Sequence, residues 1–158
     1  MFCVGDMIAH PMHGAGVIDS IEERKISGCT RQYYILKMPA GGMVVMIPTE
    51  SCEAIGVRPI VDCQEAEDLM NSMSNIAVEM TSNWNKRYRE NMQRLKSGDL
   101  TEVARVVKGL MARDVQKGLS TGERKMLHSA KQILISEVVL SSHTSYEEVE
   151  MRINAALA

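Results

Sequence analysis

Residues 97–111, SGDLTEVARVVKGLM, contain both the start signal and the apolar pattern of an amphipathic helix. Gly98 allows the left-handed turn that ends a preceding helix. Asp99, with Glu102 three residues later, supplies both side chains of a capping box. The apolar residues that follow recur at helical spacing on a single face: they are Leu100, Val103, Ala104, Val107, Leu110 and Met111. The stretch therefore predicts a helix that packs within a helical bundle.

Two more helix starts carry the same signals. Ser120 precedes Glu123, and Ser145 precedes Glu148, at the spacing of a capping box. Gly118 is placed to end the helix before Ser120. The apolar residues of the next helix also fall on one face: they are Met126, Leu127, Ala130, Ile133, Leu134 and Val138.

The remaining helical segments complete the second half of the chain. The apolar residues take helical spacing from about Asp62, where a short acidic helix is predicted to begin and to extend to Met73. A last helix is predicted from Ser145 to Ala156. Residues 74–79 have little pattern and are the predicted hinge between the two halves. We therefore predict a compact bundle of about five helices over residues 62–158.

The first 61 residues follow a different pattern, in which short runs with β-branched or aromatic content alternate with glycine turns. The predicted strands are Met7 to Ala9, Gly16 to Ile21, Gln32 to Met38 and Met43 to Ile47. The predicted turns are Gly5-Asp6, His13-Gly14, Ser27-Gly28 and Gly41-Gly42. Pro48 ends the last of these strands because proline cannot donate to a ladder. The pattern predicts a small antiparallel β-barrel over residues 1–61, and hence an α+β chain of two domains.

Composition indicates a globular protein of the cytoplasm. A chain of 158 residues can bury a core without disulfides or metals. Its longest apolar runs, such as Ile133 to Ile135, are far shorter than the roughly 18 residues of a membrane span, and the N-terminus lacks a signal pattern. The cysteines are widely and irregularly spaced, as is typical of reduced packing thiols: they are Cys3, Cys29, Cys52 and Cys63. We expect no membrane association.

Positive charge is concentrated in residues 83–132. This segment has twelve Lys and Arg against five Asp and Glu, a net charge of +7, whereas the rest of the chain has six against fifteen, a net charge of −9. Such segregation is typical of a polyanion-binding surface joined to a surface of another kind. The alternative is that these cations only solvate the exposed faces of helices.

The single tryptophan lies at the start of this cationic segment, in NWNKRYR, residues 83–89. An apolar ring beside three cations suits nucleic acid, because the cations hold the backbone while the ring packs against bases or wedges between them. Alternatively, Trp84 is a core residue that shares a helix face with Tyr88 and Met92. Three residues are candidates to cap this helix and so place the ring at its start, projecting from the bundle: Thr81, Ser82 and Asn83.

The predicted DNA-binding surface combines this helix start with the cations that follow the cap at Ser120. Helix N-termini add backbone N–H groups to the cations. The candidate DNA-binding residues are Asn83, Trp84, Asn85, Lys86, Arg87, Arg89, Arg124 and Lys125.

Catalytic and cofactor sites are not indicated. None of the four histidines has the spacing of a metal site on a helix. His10 and His13 flank Pro11 and could pair with a cysteine as base and nucleophile, but no oxyanion-forming motif accompanies them. Gly14-Ala15-Gly16 lacks the Lys-Ser/Thr of a P-loop and the third glycine of a dinucleotide loop. We expect no enzyme activity, no cofactor, no metal and no small-molecule substrate.

Residues in both halves resemble the CarD/CdnL family of transcription regulators. In the first half they are Gly5-Asp6, His10-Pro11, His13-Gly14, Gly28, Tyr34, Leu36-Lys37 and Pro48. The transcription-repair coupling factor shares this part but adds a helicase motor that is absent from this chain. In the second half they are Asn83-Trp84, Arg87-Tyr88, Leu95, Ser97-Gly98-Asp99, Val103-Ala104, Val106-Val107, Gly118-Leu119-Ser120, Gly122-Glu123, Met126-Leu127 and Ala130-Lys131-Gln132-Ile133-Leu134.

The resemblance implies a Tudor-like β domain that docks on the β subunit of bacterial RNA polymerase, and a helical domain that contacts promoter DNA at the upstream edge of the melted region. It implies that Trp84 inserts at the minor groove and stabilises the open promoter complex, while nearby cations contact the phosphate backbone. Arg24 and Ile26 match positions near the family's polymerase contact, and Met46 stands where relatives often have a basic residue. The alternative is a general DNA-binding protein whose β domain recruits another partner.

Overall fold

The computed structural model describes residues 1–39 and 42–157, which contain an antiparallel sheet of five strands and six helices. The strands are β1 (Met7–His10), β2 (Gly14–Ile26), β3 (Cys29–Lys37), β4 (Val44–Pro48) and β5 (Arg58–Pro59). The helices are α1 (Cys52–Ile55), α2 (Cys63–Ser72), α3 (Trp84–Lys96), α4 (Leu100–Lys117), α5 (Thr121–Ser142) and α6 (Tyr146–Leu157). Among these helices, none has the length and apolar content needed to cross a bilayer.

The described strands form an open sheet in the order β4-β3-β2-β1-β5, so the prediction of a closed barrel is corrected. Closure would need a ladder between the two edge strands, β4 and β5. Strand β5 has two residues, of which Pro59 has no N–H to donate. The helix count also differs, because the short helix α1 was not predicted.

The hairpin of β2 and β3 is longer than predicted. The strands are joined at Ser27 and Gly28, which both have positive φ, 52° and 82°. Residues 22–25 are all charged. Because charged residues are uncommon in strands, the sequence did not indicate that β2 continues beyond Ile21. The Ser27-Gly28 turn is confirmed, whereas the predicted turn at Gly41-Gly42 lies partly outside the described residues.

The predicted helix caps are confirmed at three starts. Side-chain oxygens of Asp99, Ser120 and Ser145 accept hydrogen bonds from the N–H groups of Thr101, Glu123 and Glu148, at 2.9, 3.2 and 3.2 Å. The glutamates do not complete a capping box in the described structure; Glu123, for example, pairs with Arg87 instead. The backbone at Gly98 and Gly118 has positive φ, 75° and 74°. At Gly118 the ψ angle is 165°, outside the left-handed helical region, so the left-handed turn predicted there is wrong.

Helix α5 lies at the centre of the molecule, where it packs against α2, α4, α6 and β2. Its residues 133–139 are all buried, whereas the sequence predicted burial on one face only. The difference arises because strand β2 covers a side of α5 that the other helices leave open. As a result, Ser136 and Glu137 are buried polar residues in the middle of this helix.

Residues 74–79, the predicted hinge, lie within the helical half. Helix α2, which precedes them, already packs against α5. The Lys108 ammonium donates to the carbonyl oxygens of Ser74 and Ile76, at 2.8 and 2.7 Å, and the Arg105 guanidinium donates to that of Ala77. The chain instead passes from sheet to helices between Pro59 and Cys63.

Candidate nucleic-acid interface

The N-termini of α3 and α5 lie side by side. Of the candidate caps for α3, Asn83 is the one used: its Oδ1 accepts from the Lys86 N–H at 3.0 Å. Ser120 caps α5, and its Oγ also accepts from the indole N–H of Trp84, at 3.0 Å. One hydroxyl therefore joins the two helix starts and fixes the edge of the tryptophan ring.

The Trp84 ring is exposed and held from one side. Residue Trp84 is 42% exposed, which contradicts the alternative of a core tryptophan. Its ring stacks on that of Tyr88, with centroids 5.1 Å apart and planes inclined by 17°. A Cβ added at Gly122 would lie 3.7 Å from both rings, so this glycine lies directly against the pair. The ring is thus positioned before any ligand binds.

Arg87 is buried beneath this site, which corrects its prediction as a phosphate contact. Its Nε and Nη2 donate to the Glu123 carboxylate, at 2.8 and 3.1 Å, and both side chains are 2% exposed. Its Nη1 donates to the carbonyl oxygens of Thr81 and Ser82, at 3.1 and 3.2 Å. All three guanidinium nitrogens thus donate within the protein, and the side chain joins α3 to α5.

The buried pair is charged at neutral pH. Hydrogen bonds from Arg87 hold the pKa of the Glu123 carboxyl below its ordinary value, and the nearby positive charge of Arg113 acts in the same direction. The carboxylate in turn raises the pKa of Arg87. The sequence assigned Glu123 only to a capping box, because a partner 36 residues away is not visible as a local pattern.

The other predicted cations are exposed around the ring. Lys86 and Arg89 lie on the solvent side of α3, as does Asn85, and Arg124 and Lys125 lie in the first turn of α5. Arg124 also lines a groove between α4 and α5, with Asp114 of α4 and with His128 and Lys131, which are not among the predicted site residues. Exposed cations on the two helices whose starts hold the ring can bind the phosphate backbone without reading sequence.

The residues predicted to face the polymerase share one face of the sheet. Met46 lies opposite Ile35, which lies opposite Ser20. Because side chains alternate along a strand, Arg24 and Ile26 point to the same side as Ser20. We call this side, with Arg24, Ile26, Val44 and Met46, the outer face. Its apolar members Ile26, Val44 and Met46 are 50%, 52% and 40% exposed, and β4 is an edge strand.

The two histidines of the β1–β2 turn form a small cluster of their own. The rings of His10 and His13 have centroids 4.5 Å apart, and His10 Nδ1 accepts from the Met12 N–H at 3.1 Å. Burial lowers the pKa of His10, and the charge of His13 lowers it further. Across residues 1–39 and 42–157, no three His, Cys, Asp or Glu side chains converge in a way that could hold a metal ion.

Comparison with known proteins gives matches over both halves. Residues 68–154 match the family model described as "CarD, C-terminal domain". Residues 2–61 match the one described as "CarD-like/TRCF RID domain". The chain is also similar to a protein of Bacillus subtilis (strain 168) named "Putative transcription factor YdeB", with 38% identity over 138 residues that cover 87% of this chain and 90% of that protein.

Proposed function

The chain belongs to the CarD/CdnL family of bacterial RNA-polymerase-binding transcription regulators, and on this premise we propose that it bridges RNA polymerase and promoter DNA. The outer face docks on the polymerase β subunit. The Trp84 site contacts DNA at the upstream edge of the melted region and stabilises the open complex. The observation that supports this most strongly is the exposed, pre-positioned Trp84 ring among exposed cations. The protein acts by binding and carries out no chemical step.

Trp84 acts as a wedge at the minor groove. Inserting a side chain between base pairs costs a few kcal/mol of unstacking, and the cost is least where the duplex is already frayed. The stack on Tyr88 and the hydrogen bond to Ser120 hold the ring in place, which reduces the entropy lost on binding. The ring therefore favours DNA that has begun to melt.

The outer face supplies the polymerase contact. Val44 and Met46 are exposed apolar residues on β4, and Ile26 is a third near the β2–β3 turn. Arg24, paired with Glu22, is the cation between them on this face. The free edge of β4 can add a strand from the partner, which provides main-chain hydrogen bonds. At the position of Met46 relatives often have a basic residue, so in this chain the proposed polymerase contact is apolar there instead of charged.

The protein stabilises the open complex because it binds the open complex more tightly than the closed one. A protein shifts an equilibrium only by the difference between its affinities for the two states. One wedge and a few phosphate contacts, worth about 1 to 3 kcal/mol, correspond to a roughly five- to hundredfold change in open-complex lifetime. The protein activates promoters at which opening is limiting and represses those at which escape is limiting.

The exposed cations should determine the salt dependence of DNA binding. In the triple variant Lys86→Ala/Arg124→Ala/Lys125→Ala, we expect weaker binding to every sequence tested. The slope of log K against log salt should fall by roughly 0.9 for each phosphate that the variant no longer neutralises. Fluorescence anisotropy, measured at a series of salt concentrations, gives this slope. Lys25→Ala, an exposed cation on the sheet, is the control with an unchanged slope, and an unchanged slope in the triple variant would contradict the assignment.

The outer face should determine polymerase affinity. Ile26→Glu and Met46→Glu each place an unpaired charge in the proposed apolar contact, and we expect each to weaken polymerase binding by roughly tenfold or more. Ile21→Glu is the matched control, because Ile21 is 40% exposed but lies opposite Tyr34 on the other face. Biolayer interferometry with the full chain gives the affinities. A wild-type chain that binds DNA but not polymerase would support a general DNA-binding protein instead.

A further inference from the structure

Helix α5 connects the Trp84 site to the sheet. At its start, Ser120 and Glu123 hold Trp84 and Arg87 of α3. Four turns later, Ser136 and Glu137 contact the sheet and the segment that follows it. With a rise of 1.5 Å per residue, Thr121 and Glu137 lie about 24 Å apart on this helix. A single rigid element thus carries both attachments.

A partly buried ion pair forms the centre of the junction between the sheet and α5, with Glu137 buried and Arg58 partly exposed. Nη1 and Nη2 of Arg58, in β5, donate to Oε2 and Oε1 of Glu137, at 2.6 and 2.9 Å. Glu137 is 1% exposed and also accepts from the Val61 N–H at 2.9 Å. Arg58 Nε donates to the Gly98 carbonyl, in the α3–α4 turn, at 3.0 Å. One guanidinium therefore fixes β5, α5 and the end of α3 relative to one another.

The start of β2 is packed tightly against the same turn of α5. Ser136 Oγ accepts from the Ala15 N–H at 2.9 Å. Gly14 has a φ of 98°, and a Cβ at this position would lie 2.5 Å from Ser136 Oγ and 3.2 Å from Ile133 Cα. Only glycine fits this backbone and this spacing. This packing explains Gly14 of the Gly14-Ala15-Gly16 motif, whereas Gly16 lies against β3, where a Cβ would be 2.7 Å from the Lys37 carbonyl oxygen.

From these contacts we infer that Arg58 and Glu137 are positioning residues that fix the outer face relative to the Trp84 ring. The inference rests on the proposed function and extends it. When the outer face is docked on polymerase, a rigid junction presents the ring at one point along the DNA. A loose junction spreads the ring over many positions and so lowers its effective concentration at the melted edge. A bidentate Arg–carboxylate pair suits this role because it specifies direction as well as distance.

The test is the double variant Arg58→Leu/Glu137→Gln in the full chain. Changing both partners avoids leaving a buried charge unpaired, and the new amide oxygen can still accept from the Val61 N–H. We expect binding to polymerase alone and to DNA alone to stay within about twofold of wild type, whereas the extension of open-complex lifetime falls roughly fivefold or more. Faster hydrogen exchange at the Ala15 and Val61 amides will show that the junction has opened.

The control is a second bidentate pair that does not join the two halves. Arg152 donates to Glu67 at 3.0 and 2.9 Å, between α6 and α2, so Arg152→Leu/Glu67→Gln should retain the wild-type lifetime. Gly14→Ala opens the junction from the sheet side and should reproduce the shorter lifetime of the Arg58/Glu137 variant.

Two results would overturn the inference. The first is a double variant that extends the open-complex lifetime as fully as wild type although its Ala15 and Val61 amides exchange faster. The second is a double variant that loses only polymerase affinity, which would make Arg58 and Glu137 part of the docking contact. Failure of the proposed function gives a different result, because the wild-type chain itself then does not extend the open-complex lifetime. In that case the inference is wrong as well.

Discussion

Replacing Trp84 with alanine is expected to shorten the open-complex lifetime by most of the roughly five- to hundredfold extension that the wild-type protein provides. In the proposed function the exposed Trp84 ring enters a frayed base step, so its removal eliminates an interaction that exists only with melted DNA. Polymerase affinity should not change, because the outer face is untouched. The lifetime is measured by challenging preformed complexes with a competitor at a promoter limited by opening.

Two further variants make this test specific. Trp84→Phe keeps a ring that can stack on Tyr88 but loses the hydrogen bond to Ser120, so we expect an intermediate lifetime. Met151→Ala removes another exposed apolar side chain, 70% exposed on α6, and should leave the lifetime unchanged. A folded Trp84→Ala protein with a wild-type lifetime would show that the ring is not the wedge.

Arg87→Ala is expected to lower the free energy of unfolding by about 3 to 5 kcal/mol, the typical cost of removing one partner of a buried ion pair. The loss is large because Glu123, 2% exposed, remains as a buried carboxylate without its main partner. Urea denaturation followed by circular dichroism measures the change. Arg124→Ala, one residue after Glu123 but exposed, is the control, with an expected change within about 0.5 kcal/mol.

The same pair should make stability depend on acid pH. Because folding lowers the pKa of Glu123, its contribution is fully present above the unfolded value of about 4.3 and is lost as the pH falls through the folded value. Arg87→Ala should weaken this dependence. If instead Arg87→Ala left stability unchanged and weakened DNA binding, Arg87 would be a phosphate contact after all.

The helical half was predictable where its signals are local. Asp99, Ser120 and Ser145 each cap the predicted helix, because a cap requires only residues within one turn. Arg87 was misassigned for the converse reason. Its charge suggested solvent and phosphate, whereas its position in the first turn of α3 directs it towards Glu123 on α5, which lies 36 residues away.

The sheet and its junction were less predictable. The edge strand β5 consists of Arg58 and Pro59 and has no strand pattern. The buried positions of Ser136 and Glu137 follow from the packing of β2 and β5 on α5, which a helical period cannot indicate. For the candidate DNA site, the exposed ring and its cap could be predicted from the sequence, whereas the stack on Tyr88 and the bond to Ser120 depend on the three-dimensional arrangement of α3 and α5.

The central claim is that Trp84 distinguishes melted from intact DNA while the protein is held on polymerase. The most direct test compares the affinity of the full-length protein for two polymerase–promoter complexes, one with duplex DNA and one with DNA unpaired in advance at the upstream edge. We predict a preference of roughly five- to hundredfold for the unpaired DNA, lost in Trp84→Ala. Equal affinity of the wild-type protein for the two complexes would contradict the claim.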